Sequence, residues 1–450
     1  MKKIKTIISM GLVFAMVASL SACGSKASES KSSDSQTNDT QTETTQTDQS
    51  QVDKTESTEP VEISILNSKN DLNQQFLDAV TEFNKTYPNI KVDVISTDQS
   101  PVEKATALYA AGTPATLCML DAGDISKFKD KAADLSSEKW VSEVPQPDMV
   151  DGKVIAFPFA VEGYGLIYNK AVVDKALGTT FDPSTINTTT ALEDLLTKIQ
   201  NAGVSPLIIG SMDWSLGNHF LALTYANQPD SDVSTFISTL KAGTADLVNN
   251  SAYNGLMNMF DMMMKYNKAK DDPMAVTYEQ SIAAVATEEA AITFNGNWSM
   301  MEIQKSNPDG EFGFIPVPIS DNASDKGNTA IAVGATKQIF IDSSASTEEQ
   351  QEAAKTFLNW VVYDAAGQDF LVNKCNIVPG FKNITFEPAN SLAKAIVEYN
   401  NSGKAIAFAG NYVPADHWNV LGASMQKYLV GKIDKTELAA EVEDYWKNVE

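Results

Sequence analysis

Apolar and polar residues alternate over residues 61–66 (VEISIL), which predicts a strand with one buried face. From residue 71 the period lengthens. Phe76, Ala79, Val80 and Phe83 share one face of a helix, and Tyr87-Pro88-Asn89 stops it. Residues 90–95 return to the strand pattern, so the chain opens β-α-β, as a sheet flanked by helices does. A helix over 102–111, the break Gly112-Thr113-Pro114, a strand over 116–120 and a turn at 121–124 extend that layer. Residues 151–170 (DGKVIAFPFAVEGYGLIYNK) then carry two apolar runs separated by Glu162, Gly163 and Tyr164. Asp151-Gly152 opens a turn. Pro158 has no N–H to give to a ladder, which puts the first run at an edge or a crossover. A carboxylate between two runs bound for the interior needs a partner or a ligand, which makes Glu162 a candidate. A solvated turn acid is the bland alternative.

The chain from 171 to about 316 reads as mostly helical, with strands at 207–209 and 292–294. Strands near 312–318 and 331–341 and helices over 347–363, about 418–431 and 435–446 complete it. The methionine-rich run 257–264 reads as core packing, since thioethers fill irregular interior gaps. At 295–298, Asn-Gly-Asn-Trp follows a buried strand and delivers the indole of Trp298 to a helix start.

Composition narrows the chemistry. The formal net charge is −24, from 34 Lys and Arg against 58 Asp and Glu, and there is no arginine. So acidic a chain repels nucleic acid and anionic membrane surfaces. Without arginine forks, phosphate and dicarboxylate ligands are disfavoured, and neutral, hydroxyl-rich or cationic ligands stay open. The two histidines, His219 and His417, stand in unrelated segments, so neither metal nor cofactor is expected. GxSxG, HExxH and Walker A patterns are all absent from the sequence. Cys118 and Cys375 lie in apolar settings and read as buried thiols, with a disulfide as the alternative.

Residues 1–22 have a basic start and a short apolar run, as a secretory signal does, and Leu20-Ser21-Ala22-Cys23-Gly24 fits a lipobox. Cleavage there makes Cys23 the new N-terminus and the lipid attachment point. Residues 23–60 are Ser, Thr, Gln, Asp and Glu with almost nothing apolar, a composition that predicts a disordered tether. Together these imply a protein lipid-anchored on the outer face of the cell membrane, with a tether length suited to a Gram-positive surface.

From residue 61 onward the chain resembles the family 1 extracellular solute-binding proteins of carbohydrate ABC transporters, in particular those for maltose and maltooligosaccharides. Two stretches carry the resemblance: AVEGYG around Glu162, and the Asn-Gly-x-Trp element ending at Trp298. It implies an α/β, two-lobed, periplasmic-binding-protein-like fold (type II) with a ligand cleft between lobes joined by hinge crossings. One lobe would comprise 61–161 plus about 334–376, the other about 165–330 plus 380–450. It also implies that Glu162 contacts sugar hydroxyls, that Trp298 stacks on a sugar ring, and that Trp418, in Pro414-Ala415-Asp416-His417-Trp418, does likewise. Flat aromatic faces suit the C–H patches of sugars, and carboxylates suit their hydroxyls. Further cleft candidates are Asn70 and Asp71 in the first loop, Asp121 and Asp124 in the second, Tyr164 beside Glu162, and Asp213 with Trp214 after the 207–209 strand. Helix capping is an equal account of Asp71, and turn chemistry of Asp121 and Asp124. The family often places an aromatic contact in the segment holding His219 and Phe220. Met119 stands where maltose-binding members have an aromatic, which leaves the sugar open.

The implied function is non-catalytic. A monomer captures a neutral oligosaccharide, of malto or gluco type by preference, and delivers it to the transmembrane subunits of an ABC permease. Two alternatives stand beside it: the same fold holding a cationic ligand or a peptide, and a secreted glycosidase working through a carboxylate pair.

Overall fold

The computed structural model describes residues 60–97, 100–144, 147 and 149–449. Cys23, the leader over 1–22 and the tether up to residue 59 lie outside the described residues. Among the described residues nine strands join in one sheet: β1 (Val61–Asn67), β2 (Ile90–Ser96), β3 (Leu117–Asp121), β4 (Phe157–Asn169), β5 (Ser205–Ile208), β6 (Ala290–Gly296), β7 (Phe312–Ile315), β8 (Ile331–Ile341) and β9 (Ala405–Ala407). Their order is β2-β1-β3-β8-β4-β6-β5, with β7 also paired to β4 and β9 to β8. β1 runs parallel to β2 and β3, as a β-α-β opening requires, whereas β4 and β8 pair antiparallel with each other.

Of four hydrophobic clusters among the described residues, the two largest lie one in each of the lobes that this sheet joins. Ile65, Phe76, Phe83, Leu117, Trp140, Phe157 and Phe357 belong to one. Leu166, Leu195, Phe220, Phe294 and Trp446 belong to the other, together with Met257, Met259, Met262 and Met263 from the methionine-rich helix. The first core also takes in Phe381 and Ile384, beyond the boundary near 376 that the sequence suggested.

β4 and β8 each serve both lobes. Phe157 and Phe159 of β4 pack in the first core, Tyr164 and Leu166 in the second. The sequence pattern suggested two short strands here, yet β4 is continuous through Glu162. Gly163 explains the difference. A Cβ on it would lie 2.3 Å from Ile396 Cδ1 and 2.9 Å from the Ala332 carbonyl oxygen, so this glycine serves close packing rather than a turn. Pro158 sits where the β4–β8 register shifts, between Pro158 and Ala160. Val161 also bridges Val378, so a third chain passage runs beside β4 and β8 where the lobes join. The Asp151-Gly152 turn forms as expected: both residues have positive φ, 51° and 79°, and Val150 bridges Lys153.

Cys118 and Cys375 are buried and unpaired. Among the described residues no helix is long and apolar enough to cross a membrane.

Candidate functional site

A cavity of about 480 Å³ opens where the lobes meet over the crossing strands. Its first wall begins at the end of β1. Asn67, fully buried, accepts from the Lys69 backbone N–H (2.9 Å) and donates to the Lys69 carbonyl (3.0 Å). That clamp shapes the loop and turns the Lys69 side chain inward, to 2.8 Å from Glu162 Oε1. Thr336 of β8 donates to Glu162 Oε2 at 2.5 Å. Burial alone would favour neutral Glu162, but the Lys69 ammonium and the Thr336 hydroxyl hold it below its ordinary carboxylate value. Burial likewise works against the Lys69 charge, and Glu162, Asp71 and Asp121 outweigh it, raising the lysine above its ordinary value.

Two more ion pairs continue this wall. Lys337 of β8 lies 2.5 Å from Asp121, and Lys127 lies 2.7 Å from Asp124. Asp124 is 8% exposed; burial pushes its carboxyl above the ordinary value despite Lys127. Thus each carboxylate lining the cavity holds a lysine.

The second wall is aromatic. Asn297 Oδ1 accepts from the Gly163 N–H at 2.9 Å, which ties the Asn-Gly-Asn-Trp turn to the residue beside Glu162. The indole of Trp298 folds back over Gly296, where a Cβ would fall 2.1 Å from the ring. Residues Trp214–Leu221 form a π-helical segment, an uncommon geometry that concentrates at functional sites. It packs on the helix His417–Leu429 through facing glycines. A Cβ on Gly217 would lie 2.6 Å from the Gly422 nitrogen, and one on Gly422 would lie 2.5 Å from the Asp213 carbonyl oxygen. This approach brings Trp214 and Trp418 to the same cavity, which Asn218, His219, Phe408 and Asn411 also line. Asn411 Nδ2 donates to the Ala335 carbonyl at 2.7 Å, fixing its loop to β8.

Of the residues singled out from sequence, Glu162, Trp298, Trp418, Asp121, Asp124 and Trp214 line this cavity. Four others fall elsewhere. Tyr164 is 1% exposed and lies in the core, stacked beneath His219 (centroids 4.7 Å apart), because β4 does not turn there. Asp213 accepts from the Trp214 N–H at 2.8 Å, and its backbone is pressed against Gly422. Asn70 exchanges hydrogen bonds with the backbone of Thr97 and so ties two loops together. Asp71 makes no cap for the helix it precedes; it lines a small recess shared with Lys69, Glu162, Trp298 and Cys375. Phe220 is a core residue.

Sequence reading passed over Lys69, Thr336, Lys337, Asn218, Phe408 and Asn411 as cavity residues. For Lys69 a signal existed, since its neighbours Asn70 and Asp71 were already candidates. Lys337 and Thr336 sit on the strand read from 331–341, but the face they present depends on the bulged register. The two histidines part company. His417 is fully buried with Nε2 at 3.0 Å from the Tyr225 hydroxyl, while His219 faces the cavity. No cluster of His, Cys, Asp or Glu suited to a metal occurs among the described residues.

Two lobes joined by paired strands over a cleft define a class of ligand-capturing protein. This chain belongs to the bacterial extracellular solute-binding proteins, whose family model matches residues 68–368. It is 24% identical over 287 residues to an uncharacterised ABC transporter extracellular-binding protein of Pyrococcus horikoshii, PH1214. That match spans 59% of this chain and 62% of the relative. It is 22% identical over 357 residues to the multiple sugar-binding protein of Streptococcus mutans, covering 74% of this chain and 80% of that one. Among solved structures, the binding protein RafE in complex with raffinose superposes with a TM-score of 0.70 at 17% identity. The superposition covers 86% of this chain and 99% of RafE, and shows a shared fold.

Proposed function

We propose that this chain captures a neutral oligosaccharide outside the cell for an ABC importer. The two lobes close over the sugar about the crossing strands and present it to the permease. One observation carries the reading: a wall of indole and imidazole rings faces a wall whose three carboxylates are each neutralised by a lysine. Rings bind the C–H faces of sugars, and fixed ion pairs hydrogen-bond hydroxyls without demanding a charged ligand. Several aromatic rings along one cavity favour an oligosaccharide over a monosaccharide. A malto- or gluco-oligosaccharide is the preferred class, and Glu162, Trp298, Trp214 and Trp418 are the residues assigned to contact it.

The occupied carboxylates weigh against a cationic ligand, which needs converging acids that are free. They weigh equally against a glycosidase, because Glu162 is already engaged by Lys69 and Thr336. Attachment through lipid on Cys23, a Gram-positive surface and a monomeric state complete the proposal.

Calorimetric titration with neutral mono- and oligosaccharides, raffinose and maltotriose among them, tests it. We expect saturable binding to one linkage class, little affected by salt between about 0.05 and 0.5 M. Release of cleavage products, or binding restricted to polyamines or peptides and weakened by salt, would overturn it.

A further inference from the structure

His219 stands where the aromatic wall reaches the crossing strands. Four rings set its plane. Tyr164 stacks on it at 4.7 Å and 24°, and Trp298 is tilted against it at 5.0 Å. Trp214 and Phe408 meet it near-perpendicularly, each at 5.4 Å. The imidazole is thus held on its faces and edges by side chains that offer it no acceptor, since the Tyr164 hydroxyl is itself without a partner.

Nδ1 of His219 is buried and has no hydrogen-bond partner. An orphaned buried N–H is rarer in folded proteins than an under-satisfied acceptor. The proton therefore belongs on Nε2, a tautomer assigned from the hydrogen-bond pattern. Nε2 is not sealed in with Nδ1, and His219 lines the cavity, which assigns to the cavity the ring edge bearing Nε2–H.

We propose that His219 donates from Nε2 to one hydroxyl oxygen of the bound sugar, and that its ring cage selects which hydroxyl. The proposal rests on the carbohydrate reading above and adds a specificity-determining residue to it. A donor locked in direction by four rings cannot follow a hydroxyl of the wrong configuration. The buried polar groups of such a site penalise a ligand that lacks the matching group.

The donor stays neutral over the working pH range. Burial lowers the His219 pKa to about 4, and Glu162 of β4 raises it only in part. Glu162 is the charged group facing it from β4 and is held by Lys69; Tyr164 is the other titratable neighbour on that strand. Trp298, Phe408 and Trp214, packed on it from the remaining sides, carry no charge. Asp121, Asp124 and Lys337 line the same cavity. Sugar affinity should hence be flat from about pH 8 to 5 and fall as the pH approaches 4, where protonation adds a charge to a ringed, desolvated site.

The test uses the full chain, the tightest-bound sugar of the neutral panel and its monodeoxy analogues. His219→Phe keeps a flat ring and removes the donor; His219→Gln keeps a donor and removes the ring. We expect Phe to lose affinity about tenfold to a hundredfold and Gln to keep more of it, with urea midpoints showing both folded. One monodeoxy analogue should bind the wild type poorly, and His219→Phe should no longer tell it from the parent sugar. Wild-type affinity in His219→Phe, or equal losses in both variants with the deoxy preference intact, would overturn the hydroxyl-reading role alone. Failure of the wild type to bind any sugar of the panel would overturn the carbohydrate reading, and this inference with it.

Discussion

On one wall of the cavity Lys69, Glu162, Lys337 and Asp121 are packed as two ion pairs; on the other Trp214, His219, Trp298 and Phe408 are packed as rings. The first wall is built on the amino-terminal lobe and the crossing strands, and its groups satisfy one another before any ligand arrives. The second is built on the other lobe, and its rings leave flat faces to be covered. Removing Lys69 or Glu162 strands a buried charge, so that pair contributes to the fold as well as to recognition. Removing a ring mostly removes contact area. The two walls should therefore fail differently under mutation, one in stability and one in affinity.

Lys69→Met gives the largest expected effect. It leaves Glu162, 7% exposed, without its cation, and should lower unfolding free energy by about 3–5 kcal/mol in urea titrations. A double variant that also carries Glu162→Leu should recover most of that stability while sugar binding stays lost. Trp298→Ala should reverse the pattern, losing about 2 kcal/mol of affinity by calorimetry, roughly thirtyfold, with a near-normal urea midpoint. An unfolded Trp298→Ala would move that indole from the aromatic wall to the core. Gly422→Ala should cost about 1–3 kcal/mol of stability, because the new methyl meets the Asp213 backbone, and should weaken binding by parting Trp214 from Trp418.

The smallest effect is on pH dependence. Glu162 titrates below its ordinary 4.5 in the folded chain, so its contribution is present above that value and is lost as the pH falls through the lower folded one. Thermal unfolding midpoints should accordingly be near-constant between about pH 5 and 8 and drop at more acid pH, with the drop reduced in Glu162→Gln. A decline already under way near neutrality would show that the pair is not held ionised.

What could be read from sequence was what local pattern controls. The β-α-β opening, the Asp151-Gly152 turn and the methionine-rich core helix follow from periodicity or short motifs, and the family resemblance picked out Glu162 and Trp298, which line the cavity. Lys69 was missed because, although the Asn67 clamp on its loop is local, the partner its side chain turns inward to meet, Glu162, lies 93 residues away on another strand. Tyr164 was misplaced because Glu162, Gly163 and Tyr164 read as a break between two short strands, while the use of Gly163 for close packing is settled by Ile396 and Ala332. The segment Trp214–Leu221 shows a third cause. In an α-helix, residues five apart diverge, but π-helical bonding joins i to i+5 and brings Trp214 edge-on to His219, 5.4 Å between rings. Helical periodicity has no means of announcing such a change of pitch.

The two buried cysteines have a practical consequence. Burial pushes the Cys118 thiol up to about 12 and raises that of Cys375 as well, so at neutral pH neither presents a thiolate to an alkylating reagent. With Cys23 changed to serine, a cysteine introduced at Val420, 43% exposed and in the same helix as Trp418, would be the sole site for a maleimide dye. Fluorescence from that position would report ligand capture directly, turning the chain into a reagentless sensor for whatever solute it gathers.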